Sequence, residues 1–573
     1  MANNKLIEQN LNVWSHSPFD KETISKTLKL KDTNNEDFND SFYTDLSFGT
    51  GGMRGIVGTG PNRVNKYTFG RNTQGISNYI NNQSNNIQES VVIAYDCRND
   101  SEYLANQVAD IFSANNIKVY LFNSIRPTPE LSYAVVKLNC ICGIVLTASH
   151  NPPEYNGYKV YWKDGGQIVP PIDTKLINEI NKTNYSEINF KRNKSFIEII
   201  GKEIDDTFIK DSILNGKVGD SNRKDYKIVF TPLHGTSYKI LPEVLKGAGY
   251  TDLHIVKDQA IPDGNFPTVK SPNPEEPEAL KMAIELARDK DADIVIGTDP
   301  DADRVGIAIK DLDGEYMIVN GNQMMVILTD YLLSKKKNLD KSYFIGSTIV
   351  STQMLFKIAK SYNVDIKLGL TGFKWIAKMI NDFSDQKFIG GGEESYGFMV
   401  GDFVRDKDAI TSSLLACEAG SEFKSNGLNL IDYLIECYLK YGFYKEKLIS
   451  VEKKGAEGNE EIKSIMNKLR KEKISKIDGS KLILTQDFEK LEQVNEINGN
   501  KTVLNFPKSN VLIFETEDGT RVAARPSGTE PKIKFYFSVN MVLPSKELFK
   551  KNNNILDGAT QARLTLYDSS TSD

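Results

Sequence analysis

The sequence has 573 residues, with 71 Lys and Arg against 76 Asp and Glu, so its formal net charge is −5. This small acidic balance argues against a nucleic-acid backbone or an anionic membrane as the main partner, because both call for clustered excess Lys and Arg. Five cysteines without a CxxC pair and four histidines without an HxxxH pair argue against a zinc ribbon, a disulfide framework and a His-rich metal site.

The N-terminal segment has no basic region followed by an apolar core, so it does not read as a secretory signal. The longest apolar run, at 324–333, is about half a membrane span and contains Asp330. We therefore expect a soluble cytoplasmic protein.

The first unit of the chain alternates short apolar runs with amphipathic stretches. Residues 91–95, 117–122 and 141–147 read as strands, and the stretches near 101–114 and 129–138 read as helices. These strands are rich in Val and Ile on both faces, which is typical of a buried parallel sheet covered by helices.

The pattern recurs twice before it changes. The second unit has predicted strands at 227–233, 253–256 and 293–297, and the third has them at 343–348, 365–370 and 387–390. Residues 452–476 read as a linker and a polar helix, and strands follow at 481–484, 511–516, 522–525 and 532–539. We predict three similar α/β mixed-sheet domains and a smaller C-terminal α+β domain, bounded at 1–215, 216–318, 319–445 and 446–573.

A polar loop rich in Gly or Pro directly follows one buried strand of each unit. The four loops are TASHNP at 147–152, TDPDADR at 298–304, GGGEESYG at 390–397 and RPSGTE at 525–530. Ligands of open α/β sheets gather at the carboxyl ends of strands. Four such loops predict one cleft where four domains meet.

The second loop has the pattern of a metal site. Asp299, Asp301 and Asp303 alternate after a predicted strand, and a divalent cation relieves the repulsion of three close carboxylates. Oxygen ligands select a hard ion such as Mg²⁺. An EF-hand does not fit, because Arg304 stands where that loop needs Gly and Lys310 where it needs Glu. A solvated acidic turn is the alternative.

The first loop places Ser149 at the end of a buried strand, where a base or a metal ion can activate its hydroxyl. The GxSxG signature of serine hydrolases is absent. His150, the next residue, can orient or polarise a reacting group, and Lys159 can accept or donate a proton. Taken alone, the loop also fits a serine that caps a turn, and Lys159 a solvated charge.

The third and fourth loops have the groups needed for a sugar phosphate. Glu393 and Ser395 lie two residues apart and can bind vicinal sugar hydroxyls, although a turn with exposed acids has the same pattern. Arg525, Ser527, Gly528 and Thr529 offer a guanidinium, two hydroxyls and exposed backbone N–H groups to a phosphate, or form an ordinary turn. Another Gly-rich segment, FGTGGMRG at 48–55, contains Arg54 but is no Walker A loop.

These five segments, in this order, resemble the α-D-phosphohexomutase family over about residues 48–539. Its phosphoserine loop corresponds to TASHNP, its metal loop to GTDPDADR, its sugar loop to GGEESYG and its phosphate loop to RPSGTEP. The resemblance implies four domains around a central cleft, in agreement with the pattern above. Within the family, GGEESYG and TGFK at 371–374 look more like phosphoglucomutases of a bacterial-type branch than like phosphoglucosamine mutases.

The resemblance also implies roles for single residues. Ser149 would be the phosphorylated nucleophile, and its phosphate with Asp299, Asp301 and Asp303 would hold Mg²⁺. Arg54 and Arg304 would lie near the transferring phosphate, and His150 and Lys159 would transfer protons and stabilise charge. Glu393 and Ser395 would recognise sugar hydroxyls. The phosphate that does not react would be bound by Arg525, Ser527, Gly528 and Thr529. Further family positions at the cleft are matched by Thr371, Gly372, Lys374, Lys407 and His234.

We therefore expect glucose 1-phosphate and glucose 6-phosphate to be interconverted through glucose 1,6-bisphosphate, which also serves as activator. Mannose or pentose phosphates as substrates, a phosphatase and a silent sugar-phosphate binder are the alternatives. We expect a monomer or weak homodimer. Residues 556–573 contain Gly and β-branched residues where the family commonly has a helix, and we expect this tail to be frayed or divergent.

Overall fold

Four β-sheets, one in each predicted unit, organise the part of the chain that the structure describes. The computed structural model describes residues 2–33, 35–49, 51–83, 87–452, 455–472, 474–527 and 532–570. Among these residues, no helix is both long enough and apolar enough to cross a membrane.

Three helices that we did not predict precede the first sheet. They are α1 (Ala2–Trp14), α2 (Lys21–Thr33) and α3 (Asn35–Phe42). Trp14, Phe19, Phe38 and Phe42 are buried and form one cluster with Tyr67 of the first unit. Ile7 and Leu11 of α1 pack against the same cluster and have with Trp14 the spacing of one helix face, so aromatic and apolar packing fixes these polar helices.

The first unit has a six-stranded sheet with the strand order β1-β5-β4-β2-β3-β6. Its strands are β1 (Gly52–Ile56), β2 (Ser90–Tyr95), β3 (Lys118–Phe122), β4 (Cys142–Leu146), β5 (Tyr155–Trp162) and β6 (Ile197–Ile200). Its helices are α4 (Lys66–Gln83), α5 (Ser101–Ala114), α6 (Thr128–Lys137) and α7 (Ile172–Lys182). Strands β2, β3, β4 and β6 pair in parallel, whereas β1 and β5 are antiparallel.

The second unit repeats this arrangement in five strands ordered β11-β10-β9-β7-β8. Helix α8 (Lys202–Gly216) leads into it and packs on its helix α9. The strands are β7 (Ile228–Thr231), β8 (Leu253–Ile255), β9 (Ile294–Thr298), β10 (Val305–Lys310) and β11 (Tyr316–Val319), with helices α9 (Ser237–Ala248) and α10 (Pro277–Lys290).

The third unit has four strands ordered β13-β12-β14-β15. They are β12 (Tyr343–Thr348), β13 (Asp365–Gly369), β14 (Lys387–Glu393) and β15 (Gly397–Val400). The helices are α11 (Gly321–Ser334), α12 (Met354–Ser361), α13 (Lys374–Asp382), α14 (Ala409–Ser425) and α15 (Leu430–Tyr441). Short 3₁₀ helices elsewhere span Tyr185–Glu187, Lys194–Phe196, Arg223–Asp225, Lys257–Gln259 and Lys546–Leu548.

The fourth unit is an antiparallel sheet ordered β16-β23-β22-β21-β18-β19-β20, with β17 paired to β18. Its strands are β16 (Phe443–Glu452), β17 (Lys476–Ile477), β18 (Ser480–Asp487), β19 (Glu492–Asn495), β20 (Lys501–Val503), β21 (Leu512–Thr516), β22 (Arg521–Pro526) and β23 (Lys532–Met541), with helices α16 (Gly455–Lys471) and α17 (Phe549–Ser570). The predicted boundary after residue 445 falls inside β16. The domain limits as a whole stay a prediction.

The expectation of a frayed C-terminal tail is wrong for the described residues, because α17 continues to Ser570. Leu556 and Thr560 are buried, and Lys445 Nζ lies 2.6 Å from Asp557 Oδ2. Packing on β16 and β23 thus stabilises a helix despite Gly558 and the low helix propensity of its β-branched residues.

The first three predicted loops occupy equivalent positions in three equivalent sheets. In each sheet a strand parallel to its neighbour turns into an antiparallel strand, and the first two loops lie between β4 and β5 and between β9 and β10. The third predicted loop lies only partly between β14 and β15, because the strand predicted to end at residue 390 continues to Glu393. The fourth predicted loop begins inside β22, which contains Arg525 and Pro526, and its residues 528–530 lie outside the described residues. The predicted fold of three similar mixed-sheet units and a C-terminal sheet is confirmed.

Candidate active site

The Ser149 loop lies against the acidic loop of the second unit. Ser149 is 3% exposed and has a left-handed backbone with φ of 52°, and its N–H donates to Thr147 Oγ1 at 2.8 Å. Its Oγ donates to Asp299 Oδ2 at 2.6 Å and lies 3.2 Å from His150 Nδ1. The tertiary structure therefore brings the first two predicted loops into direct contact.

The three aspartates after β9 form one buried cluster. One carboxylate oxygen from each of Asp299, Asp301 and Asp303 lies within 4.8 Å of the other two. Within the described residues, Asp301 Oδ1 and Asp303 Oδ1 have no hydrogen-bond partner. Burial and the two neighbouring carboxylates raise the pKa of Asp299 well above its usual range. A divalent cation would satisfy these oxygens and relieve this repulsion, so the residues present fit a metal ion.

Two lysines neutralise part of this negative charge. Lys159 Nζ lies 2.6 Å from Asp301 Oδ2 and 3.0 Å from Asp303 Oδ2, and Lys407 Nζ lies 3.2 Å from Asp303 Oδ2. Burial disfavours the charge of Lys159, but the two aspartates outweigh burial and raise its pKa. Lys159 and Lys407 likewise outweigh burial at Asp303 and hold its pKa below its usual range. Both lysines are therefore cationic.

Thr128 also holds the acidic loop, although no motif in the sequence pointed to it. Its hydroxyl donates to Asp301 Oδ2 at 2.8 Å, and its backbone N–H donates to Asp301 O at 2.8 Å. Helix α6 of the first unit, which begins at Thr128, thus fixes the middle aspartate of the second unit.

Arg54 and Arg304 line the cavity beside Ser149. Arg54 Nη1 donates to Asn151 Oδ1 at 2.7 Å, and Arg304 Nη1 is paired with Glu275 Oε1. Burial, Arg304 and Arg54 together lower the pKa of His150 well below its usual range. The imidazole is therefore neutral and has one nitrogen able to accept a proton.

The hairpin between β14 and β15 contains the predicted sugar loop. Ser395 is part of the cavity wall, whereas Glu393, which is 5% exposed, is the last residue of β14 and is next to the wall residue Glu394. Burial and Glu394 raise the pKa of Glu393 to about 7, although Lys407 acts in the opposite direction. Glu394, which the sequence did not single out, lines the cavity and accepts from Thr348 Oγ1 at 3.1 Å.

The fourth unit lines the cavity with cationic side chains. Arg525 and Ser527 are part of the cavity wall, whereas Gly528 and Thr529 lie outside the described residues. The wall also includes Arg521, whose Nη1 donates to Ile349 O at 2.6 Å, and Lys534. Residues 521, 523 and 525 alternate along β22 and all face the cavity, so strand alternation could have identified Arg521 from the sequence.

The segment 371–374 does not belong to the wall of this cavity. Thr371, Gly372 and Lys374 precede or begin α13, and none of them lines the cavity. Burial lowers the pKa of Lys374 to about 8, an effect that nearby Asp173 partly offsets. His234 is also away from it, since its ring nitrogens lie 3.1 Å from Ile261 O and 2.9 Å from Thr268 Oγ1.

All four units contribute to one cavity of about 740 Å³. Arg54, Arg304, Glu394 and Arg525 represent the four units in its wall. This volume lies within the range of small-molecule sites. A serine hydroxyl, an acidic cluster suited to a cation and a wall rich in Lys and Arg are groups that enzymes use for phosphoryl transfer.

Comparison with protein-family models matches all four units to the phosphoglucomutase/phosphomannomutase family. The matches are its α/β/α domain I at residues 45–187, domain II at 206–314, domain III at 320–438 and its C-terminal domain at 461–539. The chain belongs to this family, which confirms the resemblance seen in the sequence and makes the protein a mutase enzyme.

Curated relatives are similar over most of the chain. Phosphoglucomutases of Staphylococcus haemolyticus (strain JCSC1435) and Staphylococcus aureus (strain USA300) are each 39% identical over 505 residues. The alignments cover 87% of this chain and 91% and 90% of those relatives.

Solved structures share the fold at lower identity. A putative phosphomannomutase from Thermus thermophilus has a TM-score of 0.64 at 19% identity and covers 90% of this chain and 99% of its own. The open form of a Paramecium phosphoglucomutase, pp63/parafusin, has a TM-score of 0.65 at 17% identity and covers 92% and 95%. These similarities concern the four-domain fold.

Proposed function

We propose that the protein is a phosphoglucomutase that interconverts glucose 1-phosphate and glucose 6-phosphate. The observation that carries this proposal is the 2.6 Å contact between Ser149 Oγ and Asp299 beside a cavity walled by Arg and Lys side chains. The 39% identity to staphylococcal phosphoglucomutases supports glucose as the sugar.

The reaction starts from Ser149 phosphorylated on Oγ. The 6-hydroxyl oxygen of glucose 1-phosphate attacks the phosphorus, a new P–O bond forms, and the bond between phosphorus and Ser149 Oγ breaks. Neutral His150 is the candidate to accept the hydroxyl proton and to pass it to the leaving Ser149 Oγ, which lies 3.2 Å from its Nδ1. Cationic Lys159 and Arg304 stabilise the charge on the phosphoryl oxygens. The product of this step is glucose 1,6-bisphosphate.

The second transfer reverses the first at the other end of the sugar. After the bisphosphate reorients in the cavity, Ser149 Oγ attacks the phosphorus of the 1-phosphate, and the bond between this phosphorus and the anomeric oxygen breaks. His150 takes the proton of Ser149 Oγ and gives it to the anomeric oxygen, so glucose 6-phosphate leaves with its hydroxyl protonated and Ser149 is phosphorylated again. Added glucose 1,6-bisphosphate acts as activator because it phosphorylates Ser149 by this same step.

Asp299, Asp301 and Asp303 would hold Mg²⁺, together with an oxygen of Ser149 or its phosphate. Bound there, the ion supplies positive charge that neutralises the transferring phosphoryl group. The two carboxylate oxygens without partners within the described residues support this assignment.

The remaining predicted residues would bind the substrate. Arg525, Ser527, Gly528 and Thr529 would hold the phosphate that is not reacting, and Glu393 and Ser395 would bind sugar hydroxyls. Lys407 would also bind the substrate. Its positive charge partly offsets the effect of burial, which raises the pKa of Glu393. Contacts of substrate with Thr371, Gly372 and Lys374 stay a prediction, since these residues lie outside the cavity wall.

The substrate assay tests this function directly. Glucose 1-phosphate, mannose 1-phosphate and ribose 1-phosphate are supplied at equal concentration with Mg²⁺ and a trace of the matching bisphosphate. We expect kcat/KM for glucose to exceed that for the other two by about tenfold or more, because specificity lies in differential binding of the transition state. The proposal would be contradicted by faster turnover of mannose or pentose phosphate, by release of inorganic phosphate, or by binding without turnover. Each outcome would favour one of the alternative functions.

The pH profile of kcat/KM tests the role of Glu393, whose pKa is about 7. Above this pH the group is a carboxylate that accepts hydrogen bonds from sugar hydroxyls, and below it the group is protonated. We expect kcat/KM to fall by about tenfold between pH 8 and pH 6 from this ionisation. Glu393→Gln should lack this component, while ionisation of the substrate phosphate affects both proteins equally. Identical profile shapes would contradict the assignment.

We also place the protein in the cytoplasm as a monomer or weak homodimer. All five cysteines are free thiols and four of them are buried, which suits a reducing compartment. Sedimentation velocity over a range of protein concentrations tests the oligomeric state.

A further inference from the structure

Arg98, which the proposed reaction does not use, binds the loop that carries Ser149. Its Nη2 donates to Ser149 O at 2.8 Å and to Asn151 O at 2.5 Å. Its Nη1 donates to Pro152 O and Tyr155 O, each at 2.7 Å. One guanidinium thus binds four carbonyl oxygens of a single turn, and its side chain is only 1% exposed.

The four bonds need the shape of an arginine. A guanidinium has five N–H donors fixed in one plane, whereas an ammonium has three donors on one atom. The turn needs outside support, because the left-handed backbone of Ser149 is disfavoured in a residue with a Cβ. Arg98 supplies that support from within the same unit.

Asp96 anchors the guanidinium from behind. Its Oδ2 lies 3.2 Å from Arg98 Nε, and its Oδ1 accepts from Arg98 N at 3.0 Å and from Ser101 Oγ at 2.8 Å. Asp96 is also buried. Its carboxylate therefore neutralises the charge of Arg98 at a place that water does not reach.

A turn of the second unit packs against Arg98. The ring of Phe266, which is 1% exposed, lies 5.1 Å from Arg98 Cζ. Gly264 packs so closely on residues 97–99 that a Cβ there would come within 2.6 Å of Asn99 N. His234 holds this turn through its contacts with Ile261 O and Thr268 Oγ1, which connects the TPLHGT motif to the turn that packs on Arg98.

We propose that Arg98 is a positioning residue for the reaction, with Phe266 as its clamp from the second unit. Arg98 fixes the backbone of the Ser149 turn, and this turn holds Ser149 Oγ against Asp299. The same second unit provides both Phe266 and the acidic loop, so the clamp keeps nucleophile and acidic cluster in one geometry. This inference rests on the proposed function.

The test uses Arg98→Lys and Arg98→Met in the full-length protein. We expect kcat to fall by about 100-fold, because a displacement of about 1 Å at the reacting atoms costs about that factor. KM for glucose 1-phosphate should change less than about threefold, because the sugar and phosphate contacts lie on the third and fourth units. Phosphorylation of Ser149 by glucose 1,6-bisphosphate, followed by intact-mass spectrometry, should slow by the same factor as kcat.

Arg63→Met is the matched control. Arg63 is 5% exposed, belongs to the same unit and pairs at 2.8 Å with Asp37 and Asp40 of α3 rather than with the Ser149 turn. Loss of these two ion pairs of a buried arginine should lower Tm and leave kcat of the folded protein unchanged. A purely structural role for Arg98 would give the same result as this control.

Phe266→Leu keeps the test decisive if the Arg98 variants do not fold. It retains an apolar side chain but removes the ring over the guanidinium, and we expect kcat to fall about tenfold with unchanged KM. Wild-type kcat in folded Arg98→Lys, or in Phe266→Leu, would overturn the inference and leave the proposed function intact. An inactive wild-type protein would instead overturn the proposed function.

Discussion

Replacing Ser149 with alanine will abolish the conversion of glucose 1-phosphate to glucose 6-phosphate. Without Oγ no phosphoserine can form, so kcat should fall by about 10⁴-fold or more, as it does when a nucleophile is removed from other enzymes. Sugar-phosphate binding should persist, because Arg525 and Ser395 on other units line the cavity independently. A coupled assay for glucose 6-phosphate measures the first effect and calorimetry the second.

Ser413→Ala is the control for this variant. Ser413 is also buried, and its Oγ donates to Ala409 O inside α14, away from the cavity wall. Both variants should remain folded, and Ser413→Ala should retain wild-type kcat. Mutase activity in Ser149→Ala above the background of contaminating enzyme would refute Ser149 as the nucleophile.

Chelation of divalent cations will lower activity by about 10³-fold, and added Mg²⁺ will restore it. The factor follows because neutralising the phosphoryl charge is worth several kcal/mol, and each 1.36 kcal/mol is about tenfold in rate. The buried cluster of Asp299, Asp301 and Asp303 should be the binding site, so Asp301→Asn should show a similar loss that added Mg²⁺ does not repair. Activity is measured after dialysis against EDTA and after titration with MgCl₂.

Asp340→Asn is the matched control for the cluster. Asp340 is an exposed carboxylate in a turn, where it accepts from Ser342 N at 2.8 Å, so its loss should affect neither activity nor the response to Mg²⁺. Full activity of the wild-type protein after metal removal would exclude an essential cation. Wild-type Mg²⁺ dependence in Asp301→Asn would place the ion elsewhere.

Much of the fold could be predicted from the sequence because its signals are local. The apolar runs that became β2, β4 and β9 are short and bounded by polar loops, and buried strands require that pattern. Strand β16 could not be predicted in this way, since Lys445, Glu446 and Lys447 interrupt its apolar residues and all of its residues after Tyr444 are exposed or half-buried. Helix α17 was mistaken for a frayed tail, because its stability comes from packing of Leu556 and Thr560 and not from its own composition.

The candidate site also combines features that local sequence signals predict with features that depend on packing between distant segments. By itself the sequence determined the loops that carry Ser149, Asp299, Asp301 and Asp303, because these groups and their spacing are written in short contiguous segments. Only the tertiary structure decided which partners come from far along the chain, such as Thr128 on Asp301 and Phe266 on Arg98. Contacts between such distant segments depend on how four separately folded sheets pack together, and no local pattern of residue types encodes that packing.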